Sequence, residues 1–168
     1  MNKSDEKQAG LSEAIQQNAG APLEQIAQEN QVSTLEVVRC LPDAEAVITG
    51  GEAFNTIMDH MSSWGKITFI TNANDVVLEA KGEIPKGSIA HGYFNMNGPA
   101  FGGHIKYDHC LAICFVSRQL FGKDSHSVQF YNRDGDCMFK VYLGRDANRQ
   151  LLPDQVDKYL ELRSRYTG

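Results

Sequence analysis

Apolar residues recur at helical intervals in the first third of the chain and at alternate positions beyond residue 66. The pattern therefore predicts helices first and strands afterwards. Residues 11–19 read as a short helix closed by Gly20. Pro22 suits a first helical position, and Leu23, Ile26 and Ala27 form one stripe behind it. Ser33 with Glu36 three residues on is a capping-box pattern, and Leu35, Val38 and Leu41 follow before Pro42 ends the helix. Phe54, Ile57, Met58, Met61 and Trp64 lie on one face of a further helix that Gly65 closes. That stripe reads as core packing.

From Lys66 the period is two. Strands are predicted at 67–70, 76–80, 89–96, 101–107, 110–116, 127–131 and 137–143, with a turn at Asn72, Ala73, Asn74 and Asp75. Arg133-Asp134-Gly135 carries a tight-hairpin signal. Pro153 opens a last helix, with Val156, Tyr159, Leu160 and Tyr166 on or near one face. Strands do not alternate with helices, so a parallel doubly wound sheet is excluded. The expected fold is α+β: short N-terminal helices, a large antiparallel sheet of about seven or more strands, and a C-terminal helix.

Composition narrows the class. The 168 residues are 42% hydrophobic and 22% charged, as in an ordinary globular domain. Net charge is −5, and residues 1–46 hold three basic and eight acidic side chains against 13 of each in 47–168. This divides the chain into an acidic helical segment, 1–46, and an α+β domain, 47–168, expected to form one compact unit. The longest apolar run, 111–116, cannot span a bilayer. The polar opening predicts no signal peptide, so a cytoplasmic protein is expected, with no membrane partner. Cys40, Cys110, Cys114 and Cys137 read as free thiols, not a disulfide frame or zinc site.

Residues 21–42 resemble a helix-turn-helix, but Arg39 stands alone among Glu24, Glu29, Glu36 and Asp43. The phosphate backbone would be met by acid, so no nucleic-acid partner is expected. No hydrolase elbow, P-loop or dinucleotide fingerprint is present. The segment Asn97-Gly98-Pro99-Ala100-Phe101-Gly102-Gly103-His104-Ile105-Lys106 carries more chemistry. On a strand, Gly102, His104 and Lys106 share a face, with successive side chains about 6.6 Å apart. The imidazole could ligate a metal, the glycines admit a planar ring, and the lysine could meet a carboxylate. The plain alternative is a hydrogen-bonded structural histidine. His91, Tyr93 and Asn95 are expected on one strand face, either as a polar surface or as a second contact to the same ligand. His60, His109 and His126 read as structural or surface residues. Arg145 and Arg149 could bind anions, although a local Arg145–Asp146 salt bridge is the simpler reading.

Five stretches together resemble one family: Ser63-Trp64-Gly65-Lys66-Ile67-Thr68, Gly82-Glu83-Ile84-Pro85-Lys86-Gly87, His91-Gly92-Tyr93-Phe94-Asn95, Gly103-His104-Ile105-Lys106, and the run from Leu143 to Leu151. In this order they resemble the ChuX/HutX family of intracellular heme-utilisation carriers. The resemblance implies a homodimer related in fold to the HemS/ChuS heme proteins. It implies a chain that binds heme as cargo and passes it to a heme-degrading enzyme. It places the axial-ligand role on His104 only; by strand pattern Lys106 is the nearest cation for a heme propionate and His91 or Tyr93 could add a contact, and no catalytic residue is expected. No histidine lies between His60 and His91, so a second histidine ligand from the strands around 66–81 is not available here. A heme-degrading enzyme of the HemS/ChuS type is the alternative function, and a DNA-binding regulator the more distant one.

Overall fold

The computed structural model describes residues 3–73 and 75–168. Asn74, in the predicted 72–75 turn, lies outside the described residues, as do Met1 and Asn2. Helices α1 (Lys3–Gln17), α2 (Leu23–Glu29) and α3 (Thr34–Arg39) come first. Strand β1 (Ala46–Gly50) and helix α4 (Phe54–Met61) follow. Then come β2 (Lys66–Ala73), β3 (Val76–Glu83), β4 (Ser88–Ala90), β5 (Tyr93–Asn97), β6 (Gly102–Ile105), β7 (Cys110–Leu120), β8 (Lys123–Asn132) and β9 (Cys137–Tyr142), before helix α5 (Pro153–Ser164).

The strands build two antiparallel sheets. The large one has six strands in the order β1-β7-β8-β9-β2-β3, and the small one is β4-β5-β6. Tight turns account for most of this order, because β2–β3, β7–β8 and β8–β9 are hairpins. Side-chain alternation then gives the large sheet two apolar faces. Ile67, Ile113, Phe115, Val128, Phe130 and Val141 face a core closed by α4, by Trp64 and by Tyr159 and Leu162 of α5. Ala112, Cys114, Val116 and Tyr131 face Leu11 and Ile15 of α1, Ile26 of α2 and Val37 and Val38 of α3. The apolar faces of the helix-turn-helix-like segment are thus spent on the sheet.

The small sheet lies over the first of these cores. Phe94, Met96 and Phe101 turn inward to it, and Phe101 meets Phe69 at a centroid distance of 5.5 Å. Gly82 permits the approach, since a Cβ there would collide with the Ala100 methyl. Buried Gln155 ties α5 to the sheet, donating to the carbonyls of Trp64 and Lys66 and accepting from Gly144 N–H.

Several expectations change. Helix α1 starts at Lys3, not at residue 11. β1 was not anticipated, because it is a short strand with only Val47 buried. The predicted strand 89–96 is two strands, β4 and β5, with His91 and Gly92 in the turn between them at φ +55 and +78. A two-residue turn with both φ positive matches the right-handed twist of its strands. On α5 the buried positions are Gln155, Tyr159 and Leu162, while Leu160 is exposed.

Candidate functional site

The outer face of the small sheet carries the site. Pairing of β5 with β6 sets Asn95 opposite His104 and Phe94 opposite Ile105. Phe94 faces the core, so Tyr93, Asn95 and His104 face outward. Tyr93 packs edge-on to the His104 ring at 5.9 Å between centroids. Lys106 follows β6 and returns over Tyr93, its Nζ 4.6 Å from the ring centroid. The cation lies against the negative face of the ring. His104 itself is exposed.

Asn95 fixes the chemistry of this histidine. Its Nδ2 is shared among the carbonyl oxygens of Ser88, Ala90 and Tyr93, at 3.1, 3.2 and 3.1 Å. Those acceptors leave Oδ1 for the imidazole, and His104 Nδ1 lies 2.6 Å from it. An amide oxygen only accepts, so Nδ1 carries the proton and donates. The lone pair of neutral His104 is therefore on Nε2, the arrangement common in metal-binding histidines. Sequence reasoning set Asn95 on a polar face that could contact the ligand but did not foresee its bond to His104. The signal was the β5–β6 hairpin register, which alternation alone does not supply.

His91 is the displaced member of the predicted set. At the hairpin tip it leaves the face of Tyr93 and Asn95. Its neighbour Gly92 lies close to Lys106, since a Cβ there would be 3.6 Å from Nζ.

His60 and His126 serve packing, and His109 is exposed. Trp64 Nε1–H donates to His60 Nδ1 at 2.9 Å, so His60 Nε2–H donates to Glu161 at 3.1 Å and links α4 to α5. His126 bonds Ser117 Oγ at 2.8 Å and packs on Tyr159, and burial lowers its pKa. Arg145 makes no salt bridge to Asp146. It donates to the carbonyls of Arg149 and Asp124, while Asp146 accepts from the Asn148 and Gln150 N–H groups. The four cysteines are free, and burial pushes Cys110 up to about 11 and Cys137 up to about 12. They are poor nucleophiles and ligands in that state. Among the described residues, no three His, Cys, Asp or Glu side chains cluster as a metal site, and no helix is long and apolar enough to cross a membrane.

The family model described as "Haem utilisation ChuX/HutX" matches residues 47–162. The chain belongs to the ChuX/HutX family. It is 30% identical over 164 residues to the intracellular heme transport protein HutX of Vibrio cholerae, covering 92% of this chain and 85% of that one. Among solved structures, a protein from Erwinia carotovora matches with a TM-score of 0.90 at 40% identity, over 93% of this chain and 98% of that one. The heme-binding protein ChuX matches with a TM-score of 0.86 at 37% identity, over 92% and 97%. The heme-degrading enzyme ChuS of Escherichia coli O157:H7 shares the fold: its TM-score is 0.75 at 14% identity, over 90% of this chain and 47% of that one.

This face presents His104 with Nδ1 bonded to Asn95 and Nε2 outward, an aromatic neighbour and a nearby cation. Those groups suit a planar iron complex that carries carboxylates.

Proposed function

We propose that this chain is an intracellular heme carrier. It binds heme as cargo on the Tyr93–His104 face and passes it to a heme-degrading enzyme in bacterial heme-iron utilisation. The observation that carries the reading is the 2.6 Å hydrogen bond from His104 Nδ1 to Asn95, which leaves Nε2 as the axial ligand to iron. Lys106 meets a heme propionate, Tyr93 packs beside the macrocycle, and His91 stands at the rim. One protein ligand on an exposed face favours release over retention, and axial ligation with pocket polarity decides what bound heme does. Residues 47–168 form the heme-carrying domain, residues 1–46 form its acidic helical segment, and two copies form a homodimer.

The test is a hemin titration followed by absorbance, on wild type and His104→Ala in parallel. Saturable wild-type binding that the substitution weakens at least about tenfold and alters spectrally is expected. Absence of saturable binding would sink the carrier. Unchanged binding in the variant would move the ligand to His91 or Tyr93. Carrier and enzyme separate on incubation of the heme complex with ascorbate: the heme spectrum is expected to persist, and its conversion to an open-chain product would make the protein an enzyme.

A further inference from the structure

One sizeable cavity lies away from the His104 face. It encloses about 720 Å³, within the range of small-molecule sites. Thr68, Ile70 and Tyr142 line it. These alternate with Phe69 and Val141, which face the core beneath the small sheet. The cavity therefore opens on the other face of the large sheet from His104 and extends around its end to the 143–152 loop.

Its charge is one-sided. Lys66, Lys81, Lys123, Arg145 and Arg149 line it with a single acid, Asp146. That acid is occupied by the N–H groups of Asn148 and Gln150, at 2.8 and 3.0 Å. Among the described residues, none of the five cations lies within 4.0 Å of a carboxylate, whereas nearby Lys140 is paired with Glu24. Acids do stand close in sequence or register, with Glu83 across from Lys66 and Asp124 beside Lys123. Arg145 is held by backbone carbonyls alone, so its full charge is available.

Thr68, Ser125, His126 and Tyr142 add polar groups, and Ile70, Leu120, Leu151 and Leu152 add apolar ones, with Phe121 at the tip of the β7–β8 hairpin. Phe121 is 77% exposed and sits at φ +50. Phe121 and Gly122 form the two-residue turn of that hairpin, where positive φ at both positions suits the strand twist, and Phe121 N–H donates to the Gly20 carbonyl at 2.9 Å, while the ring itself stays in solvent. It is well placed to cover a flat ligand.

We propose that this cavity is a second binding site, for a flat apolar molecule bearing two or more carboxylates, of the tetrapyrrole class, held by charge and stacking without a metal ligand. The choice of tetrapyrrole rests on the heme-carrier reading. A nucleotide is the other flat polyanion, but the sequence has no glycine-rich phosphate loop to hold it.

The probe is iron-free protoporphyrin IX, which His104 cannot ligate, followed by fluorescence. The variants are Lys81→Glu with Lys123→Glu, Phe121→Ser, and His104→Ala, with hemin titrated against each in parallel. Saturable porphyrin binding is expected in wild type. It should weaken about tenfold or more in the double charge reversal, weaken in Phe121→Ser, and change less than about twofold in His104→Ala. Hemin binding through His104 should survive the charge reversal, which also reports intact folding. Normal hemin binding without porphyrin binding, or porphyrin binding indifferent to charge reversal, would overturn the second site alone. Porphyrin binding that falls in His104→Ala would place the probe on the His104 face and also overturn it. Loss of hemin binding in the charge reversal, with none in His104→Ala, would put the iron porphyrin in the cavity and overturn the two-site reading. ATP should displace the porphyrin poorly, and equal displacement would overturn the tetrapyrrole assignment. Failure of wild-type hemin binding would instead strike the carrier reading.

Discussion

Asn95 decides which nitrogen of His104 faces outward. Its amide is oriented by three backbone carbonyls, so its oxygen must receive the imidazole proton. Asn95→Ala removes that acceptor and frees the tautomer. Histidine nitrogen shifts should then show His104 leaving the Nδ1-protonated form. Hemin affinity should fall about 10–100-fold, the usual cost of losing such a support. An unchanged tautomer would show that Asn95 is a bystander. At this scale alternation in the sequence set His104 with Lys106 on one strand and Tyr93 with Asn95 on another, but not the β5–β6 register that brings the two strands' residues together. It misplaced His91, because a positive-φ turn at His91-Gly92 breaks the alternation it depended on.

Helix α3 shows how a six-residue element holds its shape. Ser33 accepts from Glu36 N–H, and the Glu36 carboxylate accepts from the Ser33 N–H at 2.9 Å. Lys7 of α1 adds a contact at 2.6 Å. The Lys7 ammonium, with the Ser33 N–H, holds the Glu36 carboxyl down from the usual 4.5 to about 2. A depressed carboxyl stabilises the fold above its unfolded pKa, so this contribution is whole above about 4.5 and fades as pH falls through about 2. Glu36 is partly exposed, so solvent screening keeps the effect small. In urea unfolding, Ser33→Ala should cost about 0.5–2 kcal/mol at pH 7. Glu36→Gln should be less stable than wild type at neutral pH, with the gap closing in acid. A gap that widened in acid would refute the assignment. This element was legible because capping is local chemistry, written in Ser33 and Glu36. Strand β1 was not, because a five-residue edge strand owes its shape to β7 beside it.

Across the whole molecule, the six-stranded sheet ends at β1 and β3. The β3 edge is the less protected one. Val76, Val77 and Leu78 are 49%, 60% and 61% exposed in succession. Farther along the same strand stand Glu79, Lys81 and Glu83. Charges on an edge oppose uncontrolled pairing, while an apolar stretch with unpaired backbone groups invites a partner strand. The contrast within one strand confines association to residues 76–78 and fits the proposed homodimer, in which a second copy covers this stretch. The sequence marked 76–80 as a strand, but it could not show that the strand was an edge. Edge status depends on the strand order, which joins β2 to β9 across the chain. Val77→Lys with Leu78→Lys places two charges where the partner would sit and disturbs no buried contact. By sedimentation, wild type should run as a dimer and the variant as a folded monomer, with hemin binding through His104 retained if each protomer holds its own site. A monomeric wild type would remove β3 as the interface. A monomeric variant that lost hemin binding would show that the partner completes the site. His104 would then be one half of a composite pocket across the dimer.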